Sequence, residues 1–369
     1  MTEKRGFVNL LYSISTRIRR VLTEVMSMLT NRQLQILQVI VDDFVSSAQP
    51  VGSRQISKKD WITFSPATIR NEMADLEELG FLEKTHTSSG RVPSEKGYRF
   101  YVDHLLQPQI MSADEVSQIQ SVFKRQIVEA EQLIKESANI LSELTTYTTV
   151  LLGPDVQRHK VKRFQIVPLS EDSAVAIIVT DNGHVENRVF TLPEGFNPSD
   201  IEKMVNILND RLSGVSLQDL HLKLELEALA VLRQHIHTAD AVIQSLMQVA
   251  SGQKEGKVYY AGKTNMLNQP EFHDLNKVRM FMELMDKDSQ VQNLFKPLDS
   301  GIQIRIGSEN NHLAIENCSV ITASFGAGEE RGSIAIIGPT RMDYQRVVTI
   351  MDLMRRGLSN ALSHRNDSL

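Results

Sequence analysis

The sequence predicts an α+β multidomain chain that begins with a winged helix-turn-helix and continues into an α+β domain carrying an insertion. Two observations predict the first part: a sharply capped helix runs directly into a hairpin pattern, and two further helical patterns precede it. A third observation predicts the second part. Strand patterns recur after position 160, give way to a long helical tract, and resume near position 257.

The most informative element is a short helix predicted directly after Ser65. Ser65 is a favourable N-cap residue, Pro66 suits the first helical position, and Gly80 is the residue expected just past the helix end. One face of this helix is apolar, at helical spacing. The opposite face carries small and hydrogen-bonding residues that can lie close to base edges in a major groove: Ala67, Thr68, Arg70, Asn71 and Ala74.

The flanking segments supply the rest of a winged helix-turn-helix. Upstream, the spacing of apolar residues predicts a helix over Asn31–Ser47 and a short helix through Ile56 to Lys59. Downstream, two strand patterns flank a hairpin tip at 87–90. From this arrangement we expect base contacts from Ala67, Thr68, Arg70 and Asn71, and phosphate contacts from Ser53, Arg54, Ser65, Ser89 and Arg91, with His86 as a weaker candidate.

The charge of this region limits how it can bind. Between positions 28 and 106 there are nine Lys and Arg against ten Asp and Glu, a net charge of −1. Such a balance is poor for neutralising phosphates, so only a dimer engaging two half-sites is expected to bind DNA tightly. Winged helices also serve as protein-docking modules, and that alternative stays open from these residues alone.

Seven motifs stand in register along the chain: 28-MLTNRQ-33, 49-QPVGSR-54, 65-SPATIRNEM-73, 89-SGRVPS-94, 262-GKTN-265, 269-QPEF-272 and 337-IGPTRMDY-344. Together they resemble the HrcA family of heat-inducible transcription repressors, and the resemblance runs from about Met28 to the C-terminus.

The resemblance implies a fold and a function. The fold would be a winged helix followed by a GAF-like domain with an inserted dimerisation domain between its strands. The function would be repression of chaperone operons by a homodimer bound to the CIRCE inverted repeat on double-stranded DNA. The GroEL chaperonin would keep the repressor active, and heat stress would divert that chaperonin to unfolded proteins. No cofactor is implied.

The resulting domain limits are stated as expectations. The winged helix would occupy 28–106, a linker helix and the first part of the GAF-like domain 107–192, the insertion 193–256, and the second part of the GAF-like domain 257–369. Residues 1–27 precede the resemblance and carry a basic amphipathic pattern. They suit either a surface-seeking helix or DNA-binding arm, or a family-atypical extension from an upstream start codon, which we favour.

Composition argues against catalysis and against a membrane protein. The single cysteine, Cys318, lies in an apolar run, which favours a buried thiol over a nucleophile and suits a reducing cytoplasm. No run approaches the roughly 20 apolar residues of a membrane span. His221, His235 and His237 lack the partners of a metal site.

Three questions stay open at this level. The apolar helix that starts at Leu220 fits either a subunit contact or an ordinary buried helix. The GAF-like body fits either a filled core or a ligand pocket, with Phe164, Ile166, Val320 and Phe325 as conceivable lining. A ligand-sensing regulator is therefore the alternative function, and an enzyme with an accessory winged helix is a more remote one.

Overall fold

The structure of the chain is a computed structural model that describes residues 28–85, 90–107, 109–124, 130–154, 159–181, 185–192, 198–235, 257–299, 301–327 and 330–366. It contains a winged helix at the N-terminal end and sheets interleaved with helices after it. The predicted α+β class is confirmed. The N-terminal segment 1–27 lies outside the described residues.

The N-terminal head has the predicted order of elements. Thr30 caps the first helix through a reciprocal pair of hydrogen bonds with Gln33, a capping box. The short second helix ends at Ile56, earlier than expected, and the hairpin forms as predicted. The head elements are α1 (Asn31–Ser47), α2 (Ser53–Ile56), α3 (Pro66–Glu78), β1 (Leu82–Lys84) and β2 (Arg91–Pro93).

Three helices connect the head to the body. Helix α4 (Glu95–Phe100) continues into a π-helical turn over Tyr101–Leu105. Helices α5 (Ala113–Lys124) and α6 (Ala130–Thr145) occupy the place of the single linker helix that the sequence predicts after position 107. The five residues between them lie outside the described ranges.

The chain then enters the body sheet once and leaves it. Strand β3 (Thr148–Leu152), which the sequence analysis did not predict, pairs with a strand that begins only at Val258. Between these two strands lies an inserted unit with its own sheet and its own apolar core. Its elements are β4 (Val161–Pro168), β5 (Ser173–Thr180), β6 (Val185–Thr191), α7 (Pro198–Leu212), α8 (Leu217–Lys223) and α9 (Leu229–His235).

The observed insertion corrects one predicted limit. The sequence predicts the strands β4 to β6 in the GAF-like sheet, with the insertion starting at 193, but in the described residues they form a separate three-stranded sheet of order β4-β5-β6. Their inner face packs on α7, with Phe164, Leu208 and Leu212 all buried in one core. The insertion therefore starts soon after Leu152, because an inner face buried on α7 cannot also cover the body sheet.

The body resumes with the remaining strands and three helices. Its sheet is antiparallel at every described pairing and has the order β7-β3-β10-β9-β8. The elements are β7 (Val258–Ala261), α10 (Leu275–Met285), α11 (Asp288–Leu294), β8 (Ile302–Ile306), β9 (Cys318–Ala327), β10 (Glu330–Pro339) and α12 (Tyr344–Asn366).

Alternating residues of this sheet face two cores. Leu151, Ile321 and Ile336 lie on the face covered by α6 and α12, and that core continues without interruption into the head. Val150 and Val320 lie on the opposite face, covered by α10 and α11. Every helix in the described ranges is too short or too polar to cross a membrane.

Candidate nucleic-acid interface

Helix α3 presents the surface that the sequence predicts. The Oγ of Ser65 accepts a hydrogen bond from the Thr68 N–H at 3.1 Å, which fixes the start of the helix. Ile69 and Met73 are buried beneath it. The side chains on the outer face, Ala67, Arg70, Asn71 and Ala74, are exposed. A helix with its apolar stripe in the core and small or amide side chains outside can approach a groove closely.

The two hydroxyls at the start of α3 are partly engaged. Ser65 Oγ and Thr68 Oγ1 lie 2.9 Å apart in a hydrogen bond, and Thr68 is half-buried whereas Ser65 is exposed. Ser65 therefore has lone-pair capacity toward solvent, while Thr68 contributes first to the cap. Of the four residues expected at base edges, Arg70 and Asn71 are the ones with exposed hydrogen-bonding groups.

The positive charges of the head fall into two groups. Three cations are engaged by acids of the head itself: Arg32 with Glu72 at 3.3 Å, Lys59 with Asp43 at 2.6 Å, and Arg91 with Glu77 at 2.6 Å. Another group is exposed and has no acidic partner among the described residues: Arg54, Lys58, Arg70 and Lys84.

This division shows on which part of the head the positive charge is available to DNA. The internal pairs neutralise acids that would otherwise repel phosphates, and the unpaired cations belong to α2, the turn after it, α3 and the wing. The exposed acids Asp75 and Glu78 lie in the C-terminal half of α3. The N-terminal half of α3 is thus the more electropositive end, which is the end that a winged helix directs at DNA.

Arg91 is placed differently from the expectation. Its Nε donates to Glu77 Oε2 at 2.7 Å, and its side chain is only 16% exposed. Its backbone N–H and C=O both bond to Val51 at 2.9 Å, so β2 is pinned to the segment that precedes α2. A guanidinium held this way fastens the wing to the recognition helix, because breaking the pair would leave a partly buried charge.

Ser53 is also less available than expected, because the residue is buried at 9% exposure. Its neighbour Arg54 is exposed, as a phosphate contact requires. The wing-tip candidates His86 and Ser89 lie outside the described residues.

Sequence reasoning missed two features of this surface. The Arg91–Glu77 pair joins residues 14 positions apart on different elements, so no local pattern signals it. Trp61, the single tryptophan of the chain, is 54% exposed in the turn between α2 and α3. Its position in a polar, lysine-flanked turn was the available signal, and it makes Trp61 a natural fluorescence reporter for this surface.

The other sites considered from the sequence are a body pocket, a reactive thiol and a metal site, and the described residues support none of them. The four residues considered for a body pocket belong to three separate cores, with Phe164 and Ile166 in the insertion, so they do not line one cavity. Burial raises the pKa of the Cys318 thiol to about 12, which keeps it protonated and not nucleophilic. No group of three or more His, Cys, Asp or Glu in the described ranges is placed to hold a metal, and His237 lies outside them.

One open cavity of about 590 Å³ does lie between α6 and the segment after β7. It is lined by amide and hydroxyl side chains, including Asn139, Asn265 and Asn268, with Glu143 as its charged member. Asn265 already donates to Ser142 Oγ at 3.0 Å. This lining offers hydrogen bonds and one carboxylate.

Comparison with known proteins places the head and body together in one family. The family model described as the HrcA protein C-terminal domain matches residues 131–348. A heat-inducible transcription repressor HrcA from Lysinibacillus sphaericus is 68% identical over 338 residues, covering 91% of this chain and 98% of that protein. A crystal structure of a hypothetical protein is 25% identical with a TM-score of 0.68, covering 91% of this chain and 99% of that one.

The position of Arg91 gives a testable distinction. We expect Arg91→Ala to lower the free energy of unfolding of the head by about 1–2 kcal/mol, because Glu77 loses a charged hydrogen-bond partner. The exposed Arg54→Ala should change it by less than about 0.5 kcal/mol. Urea titrations followed by Trp61 fluorescence measure both variants. Unchanged stability of Arg91→Ala, combined with weaker binding to DNA of any sequence, would instead make Arg91 a phosphate ligand.

Proposed function

The chain belongs to the HrcA family of heat-inducible transcription repressors, and we propose that it acts by binding the CIRCE inverted repeat as a homodimer. It is a transcriptional repressor of heat-shock genes and not an enzyme. The observation that carries the proposal is the exposed outer face of α3, with Arg70 and Asn71 free to reach base edges. Its place of action would be the nucleoid in the cytoplasm.

In this proposal each head reads one arm of the repeat. Arg70 and Asn71 contact bases, with Ala67 allowing close approach and Thr68 at the margin. Arg54 and Ser65 contact phosphates, joined by Lys58 and Lys84 from the exposed cations. His86 and Ser89 would extend these contacts from the wing tip. Arg91 and Ser53 support the surface from within, in view of their burial.

Two heads are needed because a single head carries few unpaired cations. A head with a net charge of −1 neutralises few phosphates, so its electrostatic affinity is low. Joining two heads raises the effective concentration of the second head at its half-site, without any new contact. An inverted repeat matches the two-fold symmetry of such a pair.

The inserted unit offers the surface for dimerisation. Its three-stranded sheet buries one face on α7, while the other face, here called the outer valine face, carries Val167, Val175, Ile177, Val179, Val185 and Val189. The registers align Val167 with Val175 and Val175 with Val189 in one row across the sheet. Val189 is 66% exposed and Val185 50%. Exposed apolar rows of this kind favour burial against a second copy.

The apolar helix that starts at Leu220 contributes less to this surface. Leu220, Leu224 and Leu232 are buried in the core of the insertion, so its main apolar face serves that core. Leu222 and Leu226 point outward, at 57% and 65% exposure. They extend the apolar surface of the unit without forming its centre.

We expect substitutions on the outer face of α3 to affect recognition of the repeat. Asn71→Ala or Arg70→Ala should weaken binding by about 1–3 kcal/mol and relax preference among bases, because a base-edge contact is lost. Arg54→Ala should weaken binding to all sequences and flatten the dependence on salt. Gel-shift titrations at several salt concentrations measure these effects, with the exposed Arg279→Ala as a matched control. Undiminished binding by Asn71→Ala would mean that another face of α3 meets the DNA.

A second expectation concerns the outer valine face. Val189→Asp should raise the dimer dissociation constant about tenfold or more, because an unpaired carboxylate would be buried in the contact. Leu275→Asp, at an 83% exposed position on α10, should leave it unchanged. Sedimentation equilibrium measures both constants. A Val189→Asp variant that dimerises like the unaltered chain would move the interface elsewhere.

A third expectation concerns the chaperonin. If GroEL maintains the binding-competent state, adding it should raise the fraction of chain bound to the repeat, and an excess of an unfolded protein should reverse that gain. The exposed valine face and the 14 methionines suit a chain that a chaperonin engages. Titration of a fixed amount of chain with labelled repeat measures the fraction of chain that is able to bind it. Indifference to GroEL, with a response to small molecules instead, would favour the ligand-sensing alternative and direct attention to the cavity at Asn265.

A further inference from the structure

Helix α4 contacts the recognition helix on one side and the body on the other. Toward the head, Ser94 Oγ donates to Gly80 O at 2.6 Å, and Lys96 Nζ donates to Leu79 O at 2.7 Å. These two carbonyls lie at the C-terminal end of α3. A side chain at Gly97 would have its Cβ 2.1 Å from the Phe81 carbonyl oxygen, so the two backbones touch at this point. The end of the recognition helix is thus fixed to α4.

Toward the body, α4 is held by two acid-containing contacts. Glu95 accepts hydrogen bonds from the Ser308 N–H at 3.1 Å and from the Ser308 hydroxyl at 2.6 Å. Arg99 donates through Nε to Glu309 at 2.9 Å, through a second nitrogen to the same carboxylate, and to the Ile304 carbonyl at 2.7 Å. Ile304, Ser308 and Glu309 belong to β8 and the turn that follows it.

The Arg99–Glu309 pair constrains the orientation of α4 relative to the body. A bidentate guanidinium–carboxylate contact fixes two planes relative to each other, which a single charge contact does not. Burial disfavours ionisation of Glu309, but the hydrogen bonds from Arg99 and from the Ile306 N–H outweigh it, so its pKa lies below the ordinary value. Both side chains are partly buried, at 30% and 39% exposure. Water therefore competes only partly for them.

A second contact, which involves α1, also restrains rotation of the head on the body. The Tyr101 hydroxyl donates to Asp42 at 2.8 Å and accepts from Gln345 Nε2 at 2.6 Å, which joins α1 to α12. Arg99 and Tyr101 are neighbours on α4 and its π-helical continuation but bind different elements, so their contacts together restrain rotation of the head on the body. The outer face of α3 stays exposed in this arrangement.

We propose that Arg99 and Glu95 are positioning residues for operator recognition: through Ser308 and Glu309 they fix the direction of α3 on the body. The inference rests on the proposed function, in which the inserted unit carries the contact between the two chains. That unit leaves and re-enters the body at the paired strands β3 and β7, so the direction of α3 on the body contributes to the separation of the two α3 helices. Arg99 and Glu95 then help to determine which separation of half-sites the pair accepts, although neither touches DNA.

The test compares a full inverted repeat with a duplex carrying only one arm. Arg99→Gln, Glu309→Gln and Glu95→Ala are titrated against both duplexes and against repeats whose spacer is one base pair longer or shorter. The matched control is Arg279→Gln, which breaks an exposed pair with Glu283 on α10. Trp61 fluorescence reports binding, and thermal unfolding confirms that each variant is folded.

We expect the variants to bind the single arm within about twofold of the unaltered chain but the full repeat about tenfold or more weakly, because only simultaneous engagement depends on the spacing. They should also discriminate less between spacers, and Arg99→Lys should restore part of the loss. Equal losses of affinity for both duplexes would mean that these residues act only through the folding of the head, and would overturn the inference. So would unchanged or tighter binding to the full repeat.

These outcomes separate from failure of the proposed function. If the unaltered chain does not bind the full repeat, the proposed operator is wrong, whatever the variants do. If it binds and discriminates spacers while Arg99→Gln discriminates equally well, only the positioning role is wrong. Should Arg99→Gln prove unstable, Ser308→Ala removes one hydrogen bond to Glu95 from the body side and gives the same comparison.

Discussion

One continuous apolar core holds the head against the body, and the other features of the molecule depend on it. Ile36 and Ile40 of α1 and Ile69 of α3 lie in the same core as Met351 of α12 and Ile336 of the body sheet. Burying this surface in one core is the main favourable contribution to the joint stability of both parts. It also fixes which side of each head helix remains in water.

The polar contacts around this core fix the orientation of the head on the body. An apolar interface alone tolerates rotation, because its attraction is not directional. The bidentate contact of Arg99 with Glu309 and the chain from Asp42 through Tyr101 to Gln345 start from neighbouring positions of α4 and its π-helical continuation but reach different elements, which restricts that rotation. Burial raises the pKa of Asp42, in part offset by the Tyr101 hydrogen bond, as expected for a carboxyl held at a protein interface. The head is thus both attached and oriented.

Much of the head could be predicted from its sequence because its signals are local. Thr30, Ser65, Pro66 and Gly80 mark helix ends within a few residues, and the observed α1 spans the predicted positions 31 to 47. The body was harder. Helix α6 ends at Thr145 and strand β3 begins at Thr148, so the sequence has no clear turn signal that separates the two elements. The start of the insertion depends on which strands pair, a choice between distant segments that periodicity does not record.

The candidate site shows the same division. Exposure of Arg70 and Asn71 follows from the helical period, since the buried stripe lies on the opposite side. Capture of Arg91 by Glu77 does not follow from any spacing, and it holds the guanidinium of an expected phosphate contact in an ion pair within the head. Long-range pairing therefore decides which of several plausible cations is available to DNA.

The most direct test places a cleavage reagent on the outer face of α3. An iron chelate attached to Ala74→Cys, at an exposed position of the same face to which no base contact is assigned, would cut DNA near its own position, and the buried Cys318 would not be labelled under native conditions. We expect two clusters of cuts, one in each arm of the CIRCE repeat and related by its symmetry, with weaker cutting from the exposed Glu78→Cys at the C-terminal end of α3. Cutting that is stronger from Glu78→Cys, or unrelated to the repeat, would contradict recognition through this face.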